Sequence, residues 1–340
     1  MKYVIRQSFK FLSLGFNVFV AVFLSQVHSV LAVEPIDLEA SIALSSETME
    51  VRVDPKTGRI VYWGVPAGKP TDNLLWLNPN PNPNENGWVN WGGDRLWPTH
   101  QAGFRYVYGP GGWPDKALDH RPWKVTLDRQ ANSVQMLSTL SQPLGIVAHR
   151  KLHWDMASEM LLVDNRLDRI SYMPFPLHIW SITQIRRAPM VLIDCPVDRP
   201  VAQRDWLNMG SGGSLPKNTI KKHDLNVLVV HCDRIEKPAK IGVFGRWIAA
   251  IYPTCIFIQY TSLNLSGAYP DGSNLQLYID PDYVELETLS NQVMVQPEQQ
   301  LSCRVAWKIM PVARENASEL SDLLKVILEN IKMMQTNVRM

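Results

Sequence analysis

Charge excess, cysteine motifs, internal repeats and long helical periodicity are all scarce in this chain, and each absence removes a class of function. Its 340 residues carry 34 Lys plus Arg against 32 Asp plus Glu. With part of that small surplus confined to the first ten residues, no basic face is left for nucleic acid or for an acidic membrane surface. The four cysteines, Cys195, Cys232, Cys255 and Cys303, stand far apart, with no CxxC and no Cys/His cluster at metal-ligand spacing. A zinc site is therefore not expected, and no metal and no cofactor is implied. Each cysteine lies in or beside an apolar, strand-like run, so buried thiols and one or two disulfides are both open.

After residue 32 no apolar run is long enough to span a bilayer. Before it, one run stands out. Lys2, Arg6 and Lys10 precede an apolar stretch from Phe11 to about Leu24, and Val30, Leu31 and Ala32 close it with a cleavable Val-x-Ala pattern. Residues 1–32 thus read as a secretory signal peptide, with an uncleaved N-terminal anchor as the alternative. The body from Val33 is expected to be exported, periplasmic or extracellular, with no stable membrane span once the signal is removed. No oligomeric state is implied.

The remaining residues, 33–340, read as one domain. Length suits a single large β architecture, and neither a repeat nor a boundary interrupts it. The Gly/Ser stretch from Met209 to Pro216 reads as a surface loop, because strands of like character continue on both sides. Met49 to Val53 and Arg59 to Val65, turned by Asp54 to Gly58, predict a hairpin; Trp123 to Leu127 and Ser133 to Leu140 predict another. Runs rich in Val, Ile, Leu and aromatics follow at Ile146 to Trp154, Glu159 to Leu167 and Phe175 to Ile185. Seven more lie at Leu225 to Cys232, Lys240 to Phe244, Trp247 to Ile251, Cys255 to Thr261, Leu275 to Ile279, Tyr283 to Leu289 and Leu301 to Ile309. So many strands without intervening helices exclude a parallel sheet and predict stacked antiparallel sheets. At the C-terminus Leu320, Leu323, Leu324, Ile327, Leu328 and Ile331 recur at helical spacing. They predict an amphipathic helix over 318–335, with Ser318 as its N-cap.

One stretch carries the chemistry. Asn78 to Phe104 reads NPNPNPNENGWVNWGGDRLWPTHQAGF. It is too rich in Gly and Pro for a helix or a central strand, and too aromatic for a disordered linker, so an ordered functional loop is expected. Trp88, Trp91 and Trp97 around Asp94 and Arg95 form a surface suited to a flat or ring-shaped polar ligand, a sugar first of all. Tyr106 to Trp123 repeats this composition, and Trp113, Asp115, His120 and Arg121 could form the opposite wall of a cleft or simply staple the loop. Glu285 and Glu287 share one strand face by the period of two. Two like charges side by side raise the affinity of one carboxylate for a proton.

Five segments, in order, resemble the galactose-mutarotase-like β-supersandwich superfamily, and within it a mutarotase-like family known as a domain of unknown function. They are NWGGDRLWP (Asn90 to Pro98), LLVDNRLDRI (Leu161 to Ile170), LHIWSITQI (Leu177 to Ile185), YPDGSNLQLY (Tyr269 to Tyr278) and YVELETL (Tyr283 to Leu289). The resemblance implies an all-β supersandwich of antiparallel sheets that binds a carbohydrate across a concave face. It implies Arg95 as the sugar anchor, Glu287 as general base at the anomeric hydroxyl and His178 as general acid at the ring oxygen. His178 departs from the family pattern, since Leu177 replaces the Asn of an Asn-His-Thr segment. Trp91, Trp97, Asp94, Glu285, Trp113, His120 and Trp180 complete the expected substrate contacts. The function expected is carbohydrate binding with aldose mutarotase or epimerase chemistry. A non-catalytic sugar-binding protein is the alternative, and a polysaccharide lyase or hydrolase a more distant one.

Overall fold

A computed structural model describes residues 33–110, 114–196, 205–209, 215–216, 218–312 and 320–338. The signal segment 1–32, Trp113 and Ser318 lie outside the described residues. In chain order the strands are β1 (Ile42–Ser45), β2 (Glu50–Asp54), β3 (Arg59–Gly64), β4 (Asp94–Trp97), β5 (Lys124–Asp128), β6 (Ser133–Leu137), β7 (Ile146–Asp155), β8 (Met160–Arg169), β9 (Trp180–Arg186) and β10 (Met190–Asp194). They continue with β11 (Leu207–Asn208), β12 (Ile220–His223), β13 (Val227–His231), β14 (Ala239–Val243), β15 (Trp247–Ile251), β16 (Cys255–Thr261), β17 (Leu275–Ile279), β18 (Tyr283–Leu289) and β19 (Gln300–Pro311). Helices α1 (Gln101–Tyr108) and α2 (Lys116–Asp119) follow β4, and α3 (Leu320–Val338) follows β19.

The strands form a nine-stranded sheet, β1-β2-β3-β4-β9-β18-β17-β14-β11, and a ten-stranded sheet, β12-β13-β10-β15-β16-β19-β8-β7-β6-β5. Alternation decides which side chains lie between them. On β18, Val284 and Leu286 enter the core while Glu285, Glu287 and Leu289 take the other face. On β7, Ile146, Ala148, Leu152 and Trp154 point inward. Trp63 stacks on Trp154 at 5.4 Å and meets Trp307 edge-on at 5.7 Å, joining the sheets. Each such fully buried apolar side chain contributes on the order of 1.5–3 kcal/mol.

Helix α3 covers part of the outer face of the ten-stranded sheet. Its Leu323, Leu324, Ile327, Ile331 and Met334 pack on Leu162, Val229, Ala249, Ile256, Ile258 and Met310. That explains the continuous apolar run of β16, whose two faces are both buried. The expected C-terminal amphipathic helix is therefore present, described from Leu320 to Val338.

Two expectations about Asn78 to Phe104 need correction. Asp94–Trp97 is a central strand between β3 and β9, and Gln101–Tyr108 is a helix. Gly92 and Gly93, at φ +84° and +71°, explain how a Gly-rich stretch enters a sheet. A Cβ on Gly92 would lie 2.3 Å from the Trp76 carbonyl oxygen, and one on Gly93 would lie 2.4 Å from that of Ile60. The glycines let the chain squeeze past its neighbours, and four residues then pair before Pro98 ends the strand. The strand expected from Phe175 starts only at Trp180, and β1, β10, β11 and β12 were not anticipated.

Asp94 also departs from expectation. It lies on the opposite face of β4 from Arg95, fully buried between the sheets, where it pairs with Arg150 of β7. Ser181 and Thr183 donate to its other oxygen at 3.1 and 2.7 Å. It is a structural carboxylate rather than a ligand contact.

Candidate functional site

The outer face of the nine-stranded sheet carries the remaining chemistry, and strand register lays it out in rows. Arg95, Ile182, Glu287, Gln276 and Gly242 face one another across β4, β9, β18, β17 and β14. One row along, Gln184, Glu285, Tyr278 and Lys240 are partners. On the other side, Trp97, Trp180 and Leu289 form an apolar row. The period of two in each strand brings these residues, scattered from 95 to 289, onto one surface.

Within the grid, Glu287 accepts from Trp180 Nε1 and from Lys240 Nζ, both at 2.8 Å and both on Oε2. Its carboxyl group is completely buried. Burial pushes its pKa up to about 7; the Lys240 ammonium opposes that push and neighbouring Glu285 adds to it. Glu285 accepts from Arg95 Nη2 at 3.1 Å and from Gln184 Nε2 at 2.8 Å. Indoles enclose the cations. The Arg95 guanidinium lies 4.7 Å from the Trp97 ring and 5.7 Å from that of Trp88, and Lys240 lies 4.8 Å from the Trp180 ring.

Five polar atoms on this face are buried without a hydrogen-bond partner among the described residues: Arg95 Nε and Nη1, Gln184 Oε1, Gln276 Oε1 and Glu287 Oε1. Each such orphan costs on the order of 1–3 kcal/mol, so a cluster of them is a feature of a site rather than of a packed core.

The structure thus unites Arg95, Trp97, Trp180, Glu285 and Glu287, and it does not bring His178 to them. His178 is fully buried, its ring 5.7 Å from that of His100, with neither ring nitrogen hydrogen-bonded among the described residues. Burial and the neighbouring His100 lower its pKa to about 3, so the ring is neutral. Four residues of extended chain separate it from Ile182, the register partner of Glu287, or about 13 Å at the rise of a strand. Between them stands Trp180, whose Nε1 is the group that reaches Glu287 from this strand, at 2.8 Å. Trp91 is half-buried, its Nε1 unpartnered, and is absent from the ring cluster of Trp88, Trp97, Phe104 and Trp180. His120 lines a separate cavity that Trp88 also borders.

Trp88, expected from the aromatic stretch, joins the site beside Arg95; Lys240, Gln184 and Gln276 complete it and were not singled out from the sequence. Lys240 and Gln276 had one signal, a long polar side chain at an alternating position of an apolar strand. That pattern also describes any solvent-facing sheet, so it selects nothing by itself.

Raised proton affinity gives a stability signature. Because burial favours the protonated Glu287, its contribution to stability is fully present below the unfolded carboxyl value near 4.5 and is lost as pH rises to about 7. Glu287→Gln does not titrate. Across that window the wild type should therefore lose on the order of 3 kcal/mol relative to the variant, measured by urea unfolding at pH 4.5 and 7.5. A constant difference would show that Glu287 is already ionised at the lower pH.

A sandwich of two large antiparallel sheets defines the fold class of the protein. Its structural neighbours share that fold. It matches a Synechocystis sp. protein at 12% identity with TM-score 0.53, over 84% of this chain and 99% of that one. A galactose mutarotase-like protein from Lactobacillus casei matches at 10% identity with TM-score 0.52, over 79% and 100%. A galactose mutarotase related enzyme from Lactobacillus acidophilus matches at 9% identity with TM-score 0.51, over 81% and 98%. No family model and no curated protein matches the sequence. The chain has the galactose-mutarotase-like fold. Among the described residues no helix is long and apolar enough to cross a membrane, and all four cysteines are free thiols.

Proposed function

We propose that this is an exported saccharide-binding protein whose ligand lies on the outer face of the nine-stranded sheet. The observation that carries the reading is the set of orphaned polar atoms on Arg95, Gln184, Gln276 and Glu287. Two are donors and three are acceptors. A sugar hydroxyl donates and accepts at once, so a polyol can satisfy both kinds within one ring. Export rests on the charged and apolar pattern of residues 1–32.

A second reading, aldose 1-epimerase activity, is favoured by Glu287. A carboxylate with a pKa near 7 can take the proton of the anomeric hydroxyl at neutral pH. As it does so the ring C–O bond breaks, and the Lys240 ammonium, 2.8 Å from Glu287, is the proton donor this arrangement supplies for the ring oxygen. Reclosure on the other face reverses both transfers.

Proton NMR of the mature protein with a panel of free aldoses tests both readings. Saturation transfer to at least one sugar is expected, and Arg95→Met should weaken binding by more than tenfold with the fold intact by circular dichroism. Silence across the panel removes the saccharide reading. Binding without faster exchange between anomers removes only the enzymatic one.

A further inference from the structure

Asp119, the last residue of α2, is buried and accepts from three side chains at once. Arg59 Nη2 donates to one carboxylate oxygen at 2.7 Å and Trp97 Nε1 to the same oxygen at 3.3 Å, while Trp88 Nε1 donates to the other at 2.8 Å. Trp97 and Trp88 are the two indoles beside the Arg95 guanidinium, with ring centres 4.7 and 5.7 Å from it. One carboxylate off the sheet therefore fixes both rings that meet the arginine of the site.

The position of Asp119 is itself set from two sides. Arg59 of β3 is fully buried and also donates through Nη1 to the Gly92 carbonyl at 2.9 Å, so a single guanidinium joins α2 to the turn that enters β4. At the other end of α2, Asp115 accepts from the N–H groups of Ala117 and Leu118 at 2.7 and 3.3 Å, and Trp123 Nε1 donates to the Leu118 carbonyl at 3.1 Å. Asp119 thus stands on a held element.

Arg95 has less to hold it. Among the described residues its side chain makes one hydrogen bond, from Nη2 to Glu285 at 3.1 Å. A single bond leaves a planar guanidinium free to turn, and contact with two fixed rings removes that freedom. Charge acts in the same sense. Burial lowers the Arg59 pKa to about 10, Asp119 opposes the shift and the Arg95 charge adds to it. Without the Asp119 carboxylate, repulsion between the two arginines would lose its main counterweight.

We infer that Asp119 is a positioning residue of the ligand site: through the indoles of Trp88 and Trp97 it sets the orientation of the Arg95 guanidinium toward the ligand. As to the nature of that ligand, this rests on the saccharide reading.

Asp119→Leu combined with Arg59→Met tests it, because the pair removes the acceptor together with the cation that would otherwise be left buried and unpaired. Proton–nitrogen NMR, with signals assigned from Arg95→Met, Trp88→Phe and Trp97→Phe, should show the Arg95 Nε and both indole resonances displaced while the melting temperature stays close to that of the wild type. Isothermal titration with glucose, galactose and mannose should show that whichever sugar binds the wild type binds the double variant about tenfold or more weakly. An unmoved Arg95 signal, or an unchanged affinity, overturns the inference, since Asp119 then serves only to neutralise Arg59. Should the double variant not fold, Asp119→Asn is read in the same way, because its amide keeps one acceptor oxygen and offers the remaining indole N–H none. If none of the sugars binds the wild type, the saccharide reading falls by itself, and the Arg95 and indole signals still decide whether Asp119 positions the guanidinium.

Discussion

Arg150→Ala should destabilise the protein by about 3–5 kcal/mol and lower its melting temperature by roughly 10 °C. Arg150 is 1% exposed and its partner Asp94 is 0% exposed, so the variant leaves a carboxylate in the middle of the sandwich without its counter-charge. The rest of the network cannot replace the cation. Ser181 and Thr183 each bring a single hydroxyl donor to Asp94, and Gln259 Nε2 binds Thr183 at 2.7 Å rather than the carboxylate. Arg150 itself is fixed by Asn165, which accepts from its Nε at 2.9 Å. The network therefore ties β4 and β9 of one sheet to β7, β8 and β16 of the other. Replacing both charges, as Asp94→Leu with Arg150→Met, should recover most of the loss, because an apolar pair of similar volume needs no desolvation of charge. Thermal unfolding of the single and double variants decides it. A single variant as stable as wild type would mean that Asp94 is protonated or solvated in the folded protein.

The position of this ion pair also explains what was legible in the sequence. Strands such as Trp247–Ile251, Cys255–Thr261 and Leu275–Ile279 announce themselves because their apolar residues are buried by local alternation or on both faces. Asp94–Trp97 does not. Its flanking glycines, its Asp and its Arg are each unusual in a central strand, and only a cation from residue 150 and hydroxyls from 181 and 183 make the Asp tolerable there. No local pattern carries that information. The site divides in the same way. Arg95 and Trp97 were visible through unusual composition, Trp180 only through the resemblance of its strand, and Glu285 and Glu287 through their spacing. Lys240 became part of the site only through register, since β14 meets β18 across β17. His178 stands apart from that grid for a related reason. A polar residue in an apolar strand is marked by its sequence neighbours, but its distance from a catalytic partner is set by where the strand begins.

On the epimerase reading, Glu287→Gln should slow anomer exchange by a factor on the order of 10²–10⁴ while changing sugar affinity little. The amide is nearly isosteric, and its carbonyl oxygen can still accept from Trp180 and Lys240, the two bonds that fix the carboxylate. What it loses is the capacity to hold a proton. A purely packing role for Glu287 would move stability and leave the exchange rate per bound sugar unchanged, so the split between rate and affinity separates the two. The pH profile gives an independent readout. In the wild type the rate should climb as pH rises through about 7, because only the ionised Glu287 can accept the anomeric proton; the residual rate of the variant should lack that rise. Lys240→Met adds the converse test. It removes both the ring-oxygen donor and the ammonium that holds the Glu287 pKa down, so the rate should fall and the inflection of what remains should move to higher pH. A wild-type profile flat across neutrality, or an inflection indifferent to Lys240, would show that proton transfer in any observed exchange is carried by another group.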